Sequence, residues 1–302
     1  GGRALAQDDA TCLDCHSDES LTKNRGAEVV SLYVDAAKVD DSGSGDSWAT
    51  AKKLVQSGKL RSFSIPKKDG TRRWMAILTV DDRVLQRAVL RVVDDLFDRQ
   101  FADCSYGYRQ GRGVRDAIPA ILALRNRGRT WVLDADIDDC FNSLDHGLLL
   151  EYFQQTVDDP LVLGLLRQWL RAGSSNPEKK TGVSLGLVMA PLLCNILLHR
   201  MDACLLQAGF RLVRYADDFC VFCATQAEAE AAYRGTEAVL GLLKLRYEPH
   251  KTMITCFEWG FDFLGVHFYR DTYAFTAQDK RIEISGDFDA ELFHDYVPEG
   301  YQ

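Results

Sequence analysis

Residues 211–223 read RLVRYADDFCVFC, two apolar runs separated by an adjacent pair of aspartates. Burying both runs requires the chain to reverse at Asp217 and Asp218, which leaves the carboxylates at the bend. The segment therefore predicts a β-hairpin with buried flanks. Asp suits turns because its side chain hydrogen-bonds the local backbone, so the pair has an ordinary explanation. The chain holds seven Asp-Asp doublets, beginning at Asp8, Asp40, Asp81, Asp94, Asp138, Asp158 and Asp217, most of which are expected to be solvated charge. What distinguishes the last is its apolar setting.

The remaining elements follow from periodicity. TWVLDADI (130–137) is a continuous apolar strand ending in acids, and TMITCF and FDFLGVHF are further strands. RSFSIPKKDGTRRWMAILTV reads as a hairpin turning at Asp69-Gly70. The helix after it places Val84, Leu85, Ala88, Val89, Val92, Val93, Leu96 and Phe97 on one face. HGLLLEYFQQTV, PLVLGLLRQWLRAG (opened by Pro160, closed by Gly173), the stretch after Pro191 and the alanine-rich 225–245 are helical. Strand, helices, hairpin, helix and strands in that order indicate an α+β fold with a mainly antiparallel sheet covered by helices. Residues 1–47 are polar and acidic and end in the linker-like DDSGSGDS.

Asp136 closes its strand as Asp217 and Asp218 close theirs. If the strands share a sheet, two or three carboxylates meet at one edge and repel unless they hold cations. Mg²⁺ takes hard oxygen ligands, and a pair of such ions ~3.5–4 Å apart suits in-line phosphoryl transfer. With 36 Lys+Arg against 44 Asp+Glu, the net charge of −8 argues against a generic nucleic-acid-binding surface. It leaves room for an enzyme whose acids cluster at a metal. The sequence has no apolar run near ~18 residues, so no membrane partner is expected. Nine cysteines without a small-scaffold pattern indicate a reduced, cytoplasmic protein. The chain begins at Gly1, so its natural start is expected to lie upstream.

RYADDF resembles the catalytic hairpin of reverse transcriptases, in its bacterial form with Ala216. DADIDDCFNSLDH is similar to their first catalytic strand, IPKKDGTRRWMAILTVDDRVLQRAV to the fingers segment of group II intron-type enzymes, and CSYGYRQGRGVRDAI to the segment after it. GVSLGLVMAPLLCNILLHRMD, YEPHKT and FDFLGVHF resemble the later blocks, in the same order. The resemblance implies a right-hand polymerase with residues 48–128 as fingers, 129–270 as palm with interleaved fingers helices, and 271–302 as an incomplete thumb or connection. It implies dNTP polymerisation on an RNA template from a DNA or RNA primer, with an intron or other RNA as a further partner. Asp136, Ile137, Asp217 and Asp218 would hold two Mg²⁺ ions, with Mn²⁺ as a substitute. Lys67 and Arg73 would grip the triphosphate, Phe141 would exclude a ribose 2′-hydroxyl, and Lys251 would protonate the pyrophosphate. Tyr215, Leu185 and Gly186 would border the nucleotide, Arg109 and Arg112 would meet template phosphates, and Phe263, Leu264 and Gly265 would support the primer end.

The chain departs from the family pattern in places. Ser184-Leu185-Gly186 stands where Pro-Gln-Gly is usual, and YEPHKT carries Glu248 and His250. The acidic tail does not match a helical thumb. These departures keep a second reading open, a reverse-transcriptase-fold module that binds nucleic acid or serves defence without templated synthesis. Cys12, Cys15 and His16 form the Cys-x-x-Cys-His spacing of c-type haem attachment, and the residues after them resemble multihaem cytochromes c. Three explanations stand: a fused or misassembled gene fragment, an incidental pattern, or a real haem. Haem c is not expected, because its attachment belongs on the oxidising side of a membrane and dNTP chemistry in the cytoplasm.

Overall fold

The structure, a computed structural model, describes residues 22–25, 28–31, 61–66, 72–174, 178, 180–275 and 282–284, with side chains from Leu78 onward except at 282 and 283. These fall into two compact units, one within 10–100 and 144–193, the other within 101–143 and 194–302.

In the first unit, β1 (Thr22–Arg25) pairs antiparallel with β2 (Glu28–Ser31), and β3 (Arg61–Pro66) with β4 (Arg72–Ile77). The β3–β4 register sets Ile65 opposite Arg73; Lys67 and Asp69-Gly70 lie outside the described residues. Thr79 starts helix Val80–Asp98: its Oγ accepts from the Asp82 N–H at 3.2 Å and donates to Asp82 Oδ2 at 2.8 Å. This helix buries Asp82, Arg83, Gln86, Val89, Val93 and Phe97, a single three–four stripe. Val92 (70% exposed) and Leu96 (44%) fall off it, so the apolar face is narrower than the eight-residue one read from periodicity.

Phe97 meets Phe153 of helix His146–Gln154 at 5.0 Å. Helix Pro160–Ala172 begins and ends as its residues require, with Asp159 accepting from the Leu161 and Val162 N–H groups and Gly173 closing it. A Cβ on Gly173 would lie 2.7 Å from Leu187 Cδ1, so the glycine admits the following loop. Gln86 Oε1 accepts from the Val188 N–H at 2.9 Å and fixes the end of that loop.

The second unit contains β5 (Trp131–Ala135), β6 (Arg211–Tyr215), β7 (Asp218–Cys223) and β8 (Met253–Cys256) in the order β6-β7-β5-β8, with every pair antiparallel. Helix Gln226–Leu242 packs on β5, β7 and β8, and helix Val114–Asn126 on β6. A second antiparallel sheet orders β9 (Phe261–Phe263), β10 (Val266–Tyr269), β11 (Thr272–Phe275) and β12 (Ile282–Glu283) as β12-β11-β10-β9. Phe261 stacks on Phe268 at 5.1 Å and Phe257 meets both edge-on at 5.1 and 5.9 Å, in one buried cluster with Val114, Ile118, Ile121 and Val132. The α+β class with antiparallel sheets agrees with the sequence-based expectation.

His199, on helix Ala190–Gln207, shows how the interior constrains charge. Its ring lies 5.7 Å from Phe101, and its Nδ1 has no hydrogen bond among the described residues. Burial pushes its pKa below the ordinary value of 6.5; Asp202 opposes this, while Arg200, Arg214 and Arg109 reinforce it. A depressed histidine pKa means that the unfolded chain binds the proton more readily, so this group favours folding above about pH 6.5 and loses that contribution as pH falls. His199→Phe is expected to flatten the loss of thermal midpoint between pH 7 and 5 relative to wild type, as checked by melting across that range.

Candidate active site

The central hairpin reverses over two residues. Tyr215 pairs with Asp218, leaving Ala216 and Asp217 as the loop. Ala216 has φ +57°, a left-handed conformation that costs an alanine about 1–2 kcal/mol. On the other flank of β7, Ala135 pairs with Phe219, so Asp136, the next residue, comes level with Asp218. The end of β5 is also tied to the chain around Tyr247: Ile137 bridges Tyr247, the Glu248 N–H donates to the Asp136 carbonyl at 2.9 Å, and the Asp138 N–H donates to the Arg246 carbonyl at 3.0 Å. These bonds deliver Lys251, whose Nζ donates to Asp136 Oδ2 at 2.5 Å, while Oδ1 accepts from the Ile137 N–H at 3.0 Å. Asp136 is 8% exposed, whereas the Lys251 side chain is largely in solvent.

Charge is concentrated here. Solvent reaches Asp218, yet the protein packed around it, together with the Asp217 and Asp136 carboxylates, pushes its pKa well up; Lys251 opposes them. The bond to Asp136 raises the pKa of Lys251, and Asp218 and Asp217 add to that. A fourth acid escaped the sequence analysis. Asp134 is half-buried, and burial, with Asp136 and Asp262 adding, brings it up to about 6 against the Cys220 thiol that donates to it at 3.6 Å. Its signal was available: residues i and i+2 of a strand share a face.

Among the described residues, no group of three or more Asp, Glu, His or Cys side chains is closed around a common point. The donor set nonetheless fits a hard cation. Its carboxylates repel one another, and the Lys251 ammonium already stands on Asp136 as a cation would. Asp136, Asp217 and Asp218 carry oxygen donors of the kind Mg²⁺ prefers, and would be its ligands if it bound here.

A buried network lies behind the turn, which sequence reasoning also missed. Arg214 is fully buried and sends Nε and Nη2 to Asp202 (2.8, 3.1 and 2.6 Å), Nη1 to Asn195 Oδ1 and the Ala216 carbonyl (both 2.9 Å), and Nη2 to Ser105 Oγ (2.8 Å). Burial disfavours its charge, but the Asp202 charge and bonds outweigh that, so its pKa lies above the usual arginine range. The clue was an arginine inside a strand with apolar neighbours, since a buried guanidinium needs an acidic partner.

The other expected site residues divide by location. Phe141 is half-buried beside Tyr108, ring centroids 6.4 Å apart, and Tyr215 packs at the edge of the aromatic cluster. Leu264 and Gly265, at φ +53° and +75°, make the two-residue turn between β9 and β10, and Phe263 points into the core. Arg109 is not a solvent-facing phosphate contact: only 5% exposed, it donates to the Ala102 and Ser105 carbonyls and lies over Phe101. Arg112 is half-buried and bonded to Asp103 at 2.6 Å. Leu185 and Gly186 belong to the first unit, in a loop where the Gly186 N–H donates to Ser184 Oγ. Arg73 sits on β4, and Lys67, Cys12, Cys15 and His16 lie outside the described residues.

This arrangement, an aspartate turn beside a third aspartate on an antiparallel sheet, sits within a match to the family described as reverse transcriptase (RNA-dependent DNA polymerase) over residues 65–268. The chain belongs to that family. It is 31% identical to Protein YkfC of Escherichia coli over 248 residues, covering 68% of this chain and 65% of that one. It is 28% identical to the group II intron-encoded protein LtrA of Lactococcus lactis over 209 residues, 65% of this chain and 34% of LtrA. Among solved structures it shares its fold with an apo telomerase of Candida tropicalis at a TM-score of 0.56 and 13% identity, over 86% of this chain and 62% of the other. The chain thus spans about two thirds and one third of the two curated relatives. No described helix is long and apolar enough to cross a membrane.

Proposed function

We propose that this chain is an RNA-directed DNA polymerase of the group II intron type, extending a primer 3′-hydroxyl with dNTPs on an RNA template. Residues 48–128 are read as fingers and 129–270 as palm with interleaved fingers helices. The observation that carries the reading is the Asp217–Asp218 turn beside Asp136 on a neighbouring strand, with Lys251 on the Asp136 carboxylate. Asp136, Asp217 and Asp218, with the Ile137 backbone, would hold two Mg²⁺ ions, which supply activation of the hydroxyl and neutralisation of the triphosphate. The 3′-hydroxyl loses its proton to solvent as its oxygen attacks the α-phosphorus, the bond from that phosphorus to the α–β bridging oxygen breaks, and pyrophosphate leaves with the electron pair. Lys251, kept protonated by its acidic neighbours, would give its proton to that leaving group.

Phe141 is read as the group that excludes ribonucleotides. Phe141→Ala is expected to admit UTP as well as dTTP, with a ~10–100-fold loss of discrimination for one removed steric contact, measured as the ratio of kcat/KM values. The proposal as a whole is tested by extending oligo(dT) on poly(rA) with Mg²⁺ and dTTP. Extension that stops on adding a chelator supports it; a folded protein that binds the duplex without extending it favours a binding module instead. Leu185, in place of the usual glutamine, is the residue that favours that second reading.

A further inference from the structure

We infer that Arg214, Asp202, Asn195 and Gly107 form a positioning clamp that sets where the Asp217 and Asp218 carboxylates stand; the inference deepens the polymerase reading and rests on it. The loop residue Ala216 is left-handed, which an alanine does not adopt unless its surroundings hold it. Two independent contacts do so. From one side, Arg214 Nη1 donates to the Ala216 carbonyl at 2.9 Å, and Asp202 and Ser105 bind the rest of the guanidinium. From the other, the backbone of Gly107 lies so close that an added Cβ would stand 2.5 Å from the Ala216 nitrogen and 3.1 Å from the Tyr215 carbonyl carbon.

Asn195 joins the two sides. Its Oδ1 accepts from Arg214 Nη1, and its Nδ2 donates to the Gly107 carbonyl, both at 2.9 Å. The strand-like segment before Gly107 is itself fastened to β6, with the Arg214 N–H donating to the Cys104 carbonyl and the Tyr106 N–H to the Arg214 carbonyl. The turn therefore has no room to rise toward Gly107 and no slack to fall away from Arg214. None of these side chains needs to touch substrate; they act through the peptide that carries Asp217.

Gly107→Ala tests the clamp without altering any charge. In the 302-residue chain, Mn²⁺ binding is measured by electron paramagnetic resonance, and kcat and KM for dTTP on poly(rA)·oligo(dT), all well below the melting temperature. The clamp predicts Mn²⁺ affinity and kcat each down about tenfold or more, because a ~1 Å misplacement can cost ~10²-fold, with KM for dTTP little changed. Should Gly107→Ala not fold, Asn195→Ala decides on the same readouts, with losses of about fivefold, the scale of one hydrogen bond. A folded variant with a lowered melting temperature but wild-type Mn²⁺ affinity and kcat would show a structural role only and overturn the clamp. A wild-type chain that binds no Mn²⁺ defeats the polymerase reading, and the clamp with it.

Discussion

Asp217→Ala is expected to abolish primer extension and to leave the protein at least as stable as wild type. The first half follows from the ligand role proposed for Asp217: losing several kcal/mol of charge stabilisation at the reacting phosphate is worth about 10³-fold or more in rate. The second half follows from electrostatics. The Asp217 charge is one of the causes that push the Asp218 pKa up, so the folded metal-free protein pays for holding the two together. Deleting Asp217 relieves that repulsion. Chain extension and thermal melting at pH 7.5 without divalent ions check both halves on one preparation. A residue that merely filled a turn would show the reverse pattern, some loss of stability and intact activity.

Asp202→Ala carries the largest expected effect on folding. Asp202 is fully buried and is the carboxylate that compensates the Arg214 guanidinium, itself fully buried. Removing one member of such a pair leaves an uncompensated charge in the interior, at a cost of about 3–5 kcal/mol. Chemical denaturation reads this directly as a lower midpoint. The double change Asp202→Leu with Arg214→Met is expected to recover much of the loss, because it removes the stranded charge as well as the bond. If stability recovers in the double variant while primer extension does not, the pair's contribution to folding is separated from its hold on the Ala216 carbonyl.

The palm-like sheet was legible because its strands carry their instructions locally. RLVRY and FCVFC are apolar on both sides of a turn, and TWVLDA is continuous enough to be buried on both faces. Pro160 and Gly173 bracketed their helix for the reasons that make those residues common there. The width of the helical face at 80–98 was misjudged because periodicity cannot say how much of a stripe a partner will cover: Val92 and Leu96 match the pattern and still face water. Arg109 looked like a loop cation because spacing does not reveal that two backbone carbonyls wait for it.

Within the candidate site, the convergence of Asp136 with the Asp217–Asp218 turn was legible from their strand ends, but the meeting of Lys251 with Asp136 was not. Lys251 reaches Asp136 only because the backbone around Tyr247 runs beside the end of β5, a pairing across 115 positions with no local trace. Asp202, Asn195 and Gly107 were invisible for the same reason. Each looks ordinary in sequence, and each matters through the single buried guanidinium or peptide it approaches.

The most direct test of templated synthesis uses a heteropolymeric RNA with an annealed DNA primer, Mg²⁺, and each dNTP withheld in turn. Arrest one position before the first template base that requires the missing nucleotide, in all four reactions, is the predicted result. Extension that ignores which dNTP is absent, or none from a folded chain that binds the duplex, would contradict it.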